Sequence, residues 1–170
     1  SVSHMTNSIR ILRFTTVYDA IEDRISITAV SAEDQSIRFW LTHKFIDQLL
    51  PHFTTWLEKS VNQANSEAIL EFQQAEAGQS LKVEAPVVNT SERSVLVHSV
   101  DINSTSAWIR MIVKLEEENF FIQFSSHGLQ QWLAIMLNAY KQAGWSTETW
   151  PGWVKDNALI SSATDRVLLH

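Results

Sequence analysis

Three carboxylates stand close together near the start of the chain, at Asp19, Glu22 and Asp23. Paired carboxylates can bind a hard cation or share a proton, as an acid–base or metal-assisted reaction requires. The same residues are also typical of a solvated turn between two strands, where Arg24 would supply an internal counter-charge. The cluster therefore gives one hypothesis, an enzyme that uses the acidic loop 19–23.

The other reactive side chains form no recognisable catalytic or metal-binding motif. The chain contains no Cys, which removes thiolate catalysis and Cys-based zinc sites. No two native His residues have the i, i+4 spacing of a helical zinc pair. Ser125 and Ser126 precede His127, but no G-x-S-x-G motif accompanies them, and the four Gly form no phosphate-binding loop. We predict no catalytic residues there, no metal and no cofactor.

Aromatic side chains are the remaining candidates, because they can stack on a ligand or dock on a protein partner. Arg38 and Trp40 project from one face of a predicted strand and would form a cation–aromatic patch if that face is exposed. Near the C-terminus, Trp145, Trp150 and Trp153 lie within nine residues. We predict that Trp145 packs on the domain and that Trp150 and Trp153 are partly exposed. The predicted partner-binding residues are Arg38, Trp40, Trp150 and Trp153. The alternative is a tail whose three Trp all cover the domain's own core.

Composition limits the classes of partner. The net charge is −6, whereas duplex nucleic acid and anionic membrane surfaces require clustered Lys and Arg. No apolar run approaches the roughly 20 residues that cross a bilayer, so we expect neither partner and a cytoplasmic protein. Residues 1–5 resemble a cloning remnant ahead of a native start at Met5.

Two stretches of the chain, residues 25–57 and 109–140, show the same pattern of elements. In the first, Ile25, Ile27 and Ala29 alternate with polar residues, and the alternation resumes from Ile37 after a polar turn. Thr42 is a candidate N-cap for a helix with a single apolar stripe. The two alternating segments, before and after the polar turn, predict a β-hairpin. The apolar stripe predicts a helix packed on that hairpin.

The second stretch repeats this order at a nearly constant distance. Ile109 follows Ile25 by 84 positions, Phe120 follows Ile37 by 83, and Ser125 takes the place of Thr42. Each copy also has a candidate strand upstream, at residues 14–18 and 98–102. Between Ile9 and Tyr18 the apolar residues are dense but out of strict phase, which favours a strand covered on both sides.

The predicted fold is α+β, a duplicated β-β-β-α unit with an approximate two-fold, antiparallel sheets and packed helices. Residues 6–170 would form one domain, with repeats at about 9–58 and 94–143, a linker helix and loop at 59–93, and a Trp-rich tail at 144–170. The leading functional hypothesis is a non-catalytic protein-interaction or scaffold module, whose partner is another protein or a second copy of this chain. The alternatives are a small-ligand binder with a pocket between the repeats and the acidic-loop enzyme.

Overall fold

The strands follow the periodicity of the sequence. The computed structural model describes residues 7–61, 66–82, 84–91 and 93–155. Within them lie seven strands: β1 (Asn7–Asp19), β2 (Arg24–Ser31), β3 (Ser36–Leu41), β4 (Ser94–Leu96), β5 (Val100–Ser104), β6 (Ile109–Lys114) and β7 (Glu118–Phe124). Alternate apolar residues of β2, β3, β6 and β7 point into the core. The predicted phases of these four strands are confirmed.

The described residues also contain four helices: α1 (His43–Ser60), α2 (Ser66–Gln79), α3 (Ser126–Ala143) and α4 (Gly152–Lys155). Thr42 caps α1 by accepting from the Phe45 N–H, and Ser125 caps α3 by accepting from the Gly128 N–H. Each hydroxyl satisfies an amide that has no partner inside its helix. Gly144 ends α3 with φ 72°, a left-handed conformation that costs glycine little.

All seven strands belong to one mixed sheet, in the order β4-β3-β2-β1-β7-β6-β5. The strands β1, β2 and β3 form an antiparallel meander, as do β5, β6 and β7. However, β1 lies parallel to β7, and β3 lies parallel to β4. The prediction of purely antiparallel sheets is wrong at these two junctions. Parallel neighbours require a crossover, and both of these pairs join chain segments that are far apart in sequence.

The core lies on the inner face of the curled sheet, against the apolar stripes of α1 and α3. Fully buried residues include Phe53 of α1 and Leu133 and Tyr140 of α3. Aromatic contacts bind the layers together, since Phe53 packs edge-to-face on both Phe124 and Trp132, at 6.0 and 5.7 Å between ring centroids. The stripes predicted for both helices are confirmed.

The segment between the two meanders crosses the outside of the sheet. After α2, the Val87 N–H donates to Thr15 Oγ1 at 2.8 Å, and the Thr90 N–H donates to Ser36 Oγ at 2.9 Å. These bonds tie the connection to β1 and β3. The predicted cloning remnant at 1–5 and the last part of the predicted tail, residues 156–170, lie outside the described residues.

Candidate functional site

A large concave feature lies where β1 changes its neighbour. Residues 7–10 of β1 pair with β7, whereas residues 11–19 pair with β2, with a register shift between Ile11 and Arg13. Such a shift is typical of a β-bulge, which bends one strand away from its neighbour. From residue 11 onward, the described strands leave one edge of β1 open. The sheet therefore splits at this point.

The split forms a groove of about 810 Å³ between β1 and α3. Its floor is aromatic, because Phe14 packs edge-to-face on Phe124 at 6.1 Å between centroids and the Trp132 Nε1–H donates to Thr16 Oγ1 at 3.1 Å. This volume falls within the range of about 300–1,000 Å³ that ligand sites occupy. Val17 lines the groove and is 50% exposed. The groove thus combines apolar surface with polar groups in an open site.

One end of the groove brings a hydroxyl to an imidazole. Ser80 Oγ lies 3.2 Å from His127 Nε2, donates to the Ala77 carbonyl at 3.0 Å and accepts from Gln131 Nε2 at 3.0 Å. A serine hydroxyl has one proton, and the Ser80 hydroxyl donates it to the Ala77 carbonyl rather than to the imidazole. These hydrogen bonds hold the lining of the groove in place and do not activate Ser80 as a nucleophile. The sequence pointed to Ser125 and Ser126 as neighbours of His127, but Ser80 makes the contact.

A second cluster surrounds Trp145 at the C-terminal end of α3. The indole stacks on His43 at 4.3 Å between centroids and 5° between planes, and packs edge-to-face on Tyr18 and Tyr140. Its Nε1–H donates to Asp23 Oδ1 at 3.3 Å. The predicted packing of Trp145 on the domain is confirmed. Trp145 thereby links the β1–β2 turn, the start of α1 and the end of α3.

Tyr140 is the most strongly perturbed acid in this cluster. Its hydroxyl donates to Asp47 Oδ1 at 2.6 Å, while Asp47 Oδ2 lies 3.1 Å from His43 Nε2. Burial raises the pKa of the Tyr140 hydroxyl well above its ordinary value, and the hydrogen bond to the Asp47 carboxylate raises it further. Both effects keep the phenol protonated in the folded chain.

We expect the contribution of the Tyr140 hydroxyl to the free energy of unfolding to decrease at alkaline pH. Because the folded-state pKa is raised, its contribution is fully present below the unfolded-state pKa, about 10, and is lost as the pH rises towards the folded-state pKa. In Tyr140→Phe, the free energy of unfolding should therefore fall less between about pH 9 and about pH 11 than in the unmodified chain. Urea unfolding followed by circular dichroism at both pH values measures this difference.

Tyr18→Phe is the matched control for that experiment. The Tyr18 hydroxyl donates to Asp23 Oδ1 at 2.7 Å, and here this hydrogen bond, rather than burial, is the largest cause of the raised pKa, because the hydroxyl is exposed to solvent. Solvent screening should make its effect on the pH dependence smaller. Equal pH dependence in Tyr140→Phe and the unmodified chain would contradict the prediction.

The acidic loop uses two of its carboxylates to hold local structure. Asp19 Oδ1 accepts from the N–H groups of Ile21 and Glu22, each at 2.9 Å, as in an Asx turn. Asp23 has φ 52° and accepts from Tyr18 and Trp145. Across the described residues, no group of three His, Cys, Asp or Glu is placed to hold a metal ion. The enzymatic role of Asp19, Glu22 and Asp23 stays a prediction, and the hydrogen bonds of the turn account for Asp19 and Asp23.

Arg38 and Trp40 lie side by side on the outer face of β3. The Arg38 guanidinium carbon is 6.0 Å from the Trp40 ring centroid, and Arg38 Nε donates to Thr28 Oγ1 at 3.1 Å. The Trp40 Nε1–H donates to Ser94 Oγ at 2.8 Å. The two side chains form the expected pair but are partly buried. Their role in binding stays a prediction.

The predicted exposure of Trp150 and Trp153 is wrong, since only 3% and 4% of their surfaces are exposed. Trp150 packs edge-to-face on Tyr140 at 5.0 Å between centroids, and the Trp153 Nε1–H donates to Glu58 Oε2 at 3.2 Å. The physical reason is the burial of apolar surface: the Pro151 carbonyl accepts from the Val154 N–H and starts α4, and Trp153 lies within this short helix with its side chain buried. Both indoles are part of the core in this structure.

A second cation–aromatic patch was missed by the sequence analysis. The Arg110 guanidinium carbon lies 4.6 Å from the Trp108 ring and 4.2 Å from the Phe121 ring, and Arg110 donates to Gln123 Oε1. Arg110 and Gln123 are directly opposite each other on β6 and β7. Cross-strand pairing follows from the hairpin register, so the alternation of β6 and β7 contained this signal.

Comparison with family models, curated proteins and solved structures gives no match. In the part of the chain that the structure describes, no helix is both long enough and apolar enough to cross a membrane. The fold and the groove define an α+β protein with a split mixed sheet. Its function is inferred from the side chains and backbone groups that line the groove at the split.

Proposed function

We propose that this protein is a non-catalytic interaction module whose partner occupies the groove between β1 and α3. The observation that supports this most directly is the groove itself, an open site of about 810 Å³ with an aromatic floor. It lies between the first strand of one predicted repeat and the helix of the other. Sites of this kind bind by burying apolar surface, while a few polar groups fix the orientation of the bound molecule.

The polar groups in the groove support binding rather than catalysis. The hydroxyl of Ser80 donates to the Ala77 carbonyl and accepts from Gln131 Nε2. Nucleophilic catalysis would need that hydroxyl to donate to a neighbouring base instead. The groove residues Asn138 and Gln142 carry amides, which recognise a partner but rarely transfer protons.

We also propose that the two halves are a duplicated unit. Both contain a three-stranded antiparallel meander followed by an 18-residue helix, and the starts of these helices, His43 and Ser126, are 83 positions apart. The N-caps Thr42 and Ser125 keep the same distance. Superposing residues 9–58 on 94–143 in an experimental structure would test this, and a different strand order in the two segments would contradict it.

A photo-crosslinking side chain placed in the groove tests the proposed function. Benzoylphenylalanine at position 138 should give a discrete adduct in native lysate, because Asn138 lines the groove and is partly exposed. The same label at position 134 is the matched control, since Ala134 lies on α3, is also partly exposed and does not line the groove. Equal labelling from both positions, or no adduct from 138, would contradict the proposal.

Light scattering of the purified chain accompanies this experiment. A second copy of the chain in the groove would give a dimer mass and an adduct of twice the chain mass. An adduct of another mass, with a monomeric purified chain, identifies a different partner.

A further inference from the structure

We infer that the groove binds an extended polypeptide segment, which adds as a strand to the open edge of β1; this inference rests on the proposed function. Residues 11–19 of β1 pair with β2 on one side, and no described strand pairs with them on the other. A strand edge presents unpaired N–H and C=O groups at every second residue. Such groups are a template for another strand.

The open edge of β1 faces the groove. Five consecutive residues, 14–18, line it. Successive side chains of a strand point to opposite faces, so a groove over one face would be lined by every second residue. Consecutive lining residues are expected when the groove runs along the edge of the strand. At about 3.3 Å per residue, the nine residues of open edge, 11–19, match an extended segment of similar length.

The opposite wall of the groove can bind the second edge of such a segment. Gln131, Asn138 and Gln142 are spaced i, i+7 and i+11 on α3, which places them on one helix face, and all three line the groove. Each side-chain amide both donates and accepts, as a backbone peptide group does. Among the described residues, the side chains of Asn138 and Gln142 have no hydrogen-bond partner. A peptide between β1 and α3 would therefore find donors and acceptors on both sides.

Charge and polarity define the segment further. Lys82 and Glu84 supply the formal charges in the groove lining, and they cancel, although the whole chain has a net charge of −6. A groove without net charge favours an uncharged bound segment. A charged side chain of the segment would lose hydration in the groove without gaining an opposite charge. The aromatic floor, formed by Phe14, Phe124 and Trp132, favours apolar side chains. The partner is thus an uncharged segment with apolar residues at alternate positions.

Peptide display with the full chain, followed by amide exchange, tests this inference. Random nonamers selected on the immobilised chain should converge on uncharged sequences with alternating apolar residues. In nuclear magnetic resonance spectra of the full chain, the bound peptide should slow hydrogen exchange at least tenfold at alternate amides of residues 13–19. The amides in between, which already pair with β2, should change little.

Substitutions on α3 give a second readout. Gln142→Ala and Asn138→Ala should each weaken binding of the selected peptide by about three- to tenfold, as expected for one lost hydrogen bond. Gln48→Ala is the matched control, because Gln48 is an exposed glutamine on α1 that does not line the groove. Its affinity should be unchanged.

The outcomes separate this inference from the proposed function. If position 138 crosslinks a partner but no peptide is selected, or if the selected peptide leaves β1 amide exchange unchanged, strand addition is wrong and the interaction site stands. Protection of β1 that rises with the concentration of the chain alone would identify a second copy as the occupant and would also overturn the inference. If position 138 gives no adduct, the proposed function fails first.

Discussion

A chain that ends at Gly144 is expected to be less stable than one that ends at Lys155 by at least about 3–5 kcal/mol, the cost of removing a single buried aromatic side chain. The segment between these residues contains Trp150 and Trp153, which are 3% and 4% exposed, and Val154, which is 2% exposed. Its removal would also uncover Tyr140, now fully buried. Chemical denaturation of the two chains measures the difference, and both chains lack residues 156–170.

Two variants separate aromatic burial from other losses in this segment. Trp150→Ala should reproduce most of the effect, whereas Trp150→Phe should cost much less, because the Trp150 Nε1–H has no hydrogen-bond partner among the described residues. Acrylamide quenching of single-Trp variants should show protection of Trp150 and Trp153 and easier access to Trp145, which is only partly buried. A chain ending at Gly144 that melts like the longer chain would show that these indoles do not stabilise the core.

The local features of the fold could be predicted because they depend on neighbours in sequence. The alternation that begins at Ile25 and at Ile109 defines strands, and the hydroxyls of Thr42 and Ser125 each satisfy amides three residues later. Such patterns are set by strand and helix geometry alone. The parallel pairing of β1 with β7 depends on which distant segments share the core, and no local pattern specifies it.

The groove also had a signal in the sequence, although we interpreted it differently. Ile9 and Ile11 are buried, and the next inward-facing aromatic is Phe14, so the apolar phase shifts by one residue between them. We expected a strand covered on both sides, but Leu12 is 60% exposed. A one-residue shift of phase is the signature of a β-bulge, and here the bulge opens the sheet.

The tail shows why composition alone does not determine exposure. Three Trp on irregular backbone could either bind a partner or cover the core, and the choice depends on where α3 ends. Gly144 turns the chain back so that the Trp145 N–H donates to the Tyr140 carbonyl at 3.0 Å. Trp150 then reaches Tyr140. The direction of this turn relative to the core depends on how α3 packs, which the local sequence does not specify.

The second large effect is expected at Leu133, which the helical spacing of α3 placed on the core face. Its side chain is fully buried in the cluster that also holds Trp132 and Met136. Leu133→Ala should therefore lower the free energy of unfolding by about 2–5 kcal/mol, through lost burial and a cavity that the packed neighbours can only partly fill. Urea denaturation of the intact chain measures this loss, and an unchanged m value would show that the unfolded state is not altered.

Leu12→Ala provides the same chemical change at an exposed position. Leu12 lies on β1 with 60% of its surface exposed, so its truncation should change the free energy of unfolding by no more than about 0.5 kcal/mol. The contrast between the two variants removes the effect of the Leu→Ala substitution on the unfolded chain, because both lose the same atoms there. If both variants lost the same stability, α3 would not pack on the sheet through its Leu133 face, and the wall of the groove opposite β1 would have to be placed elsewhere.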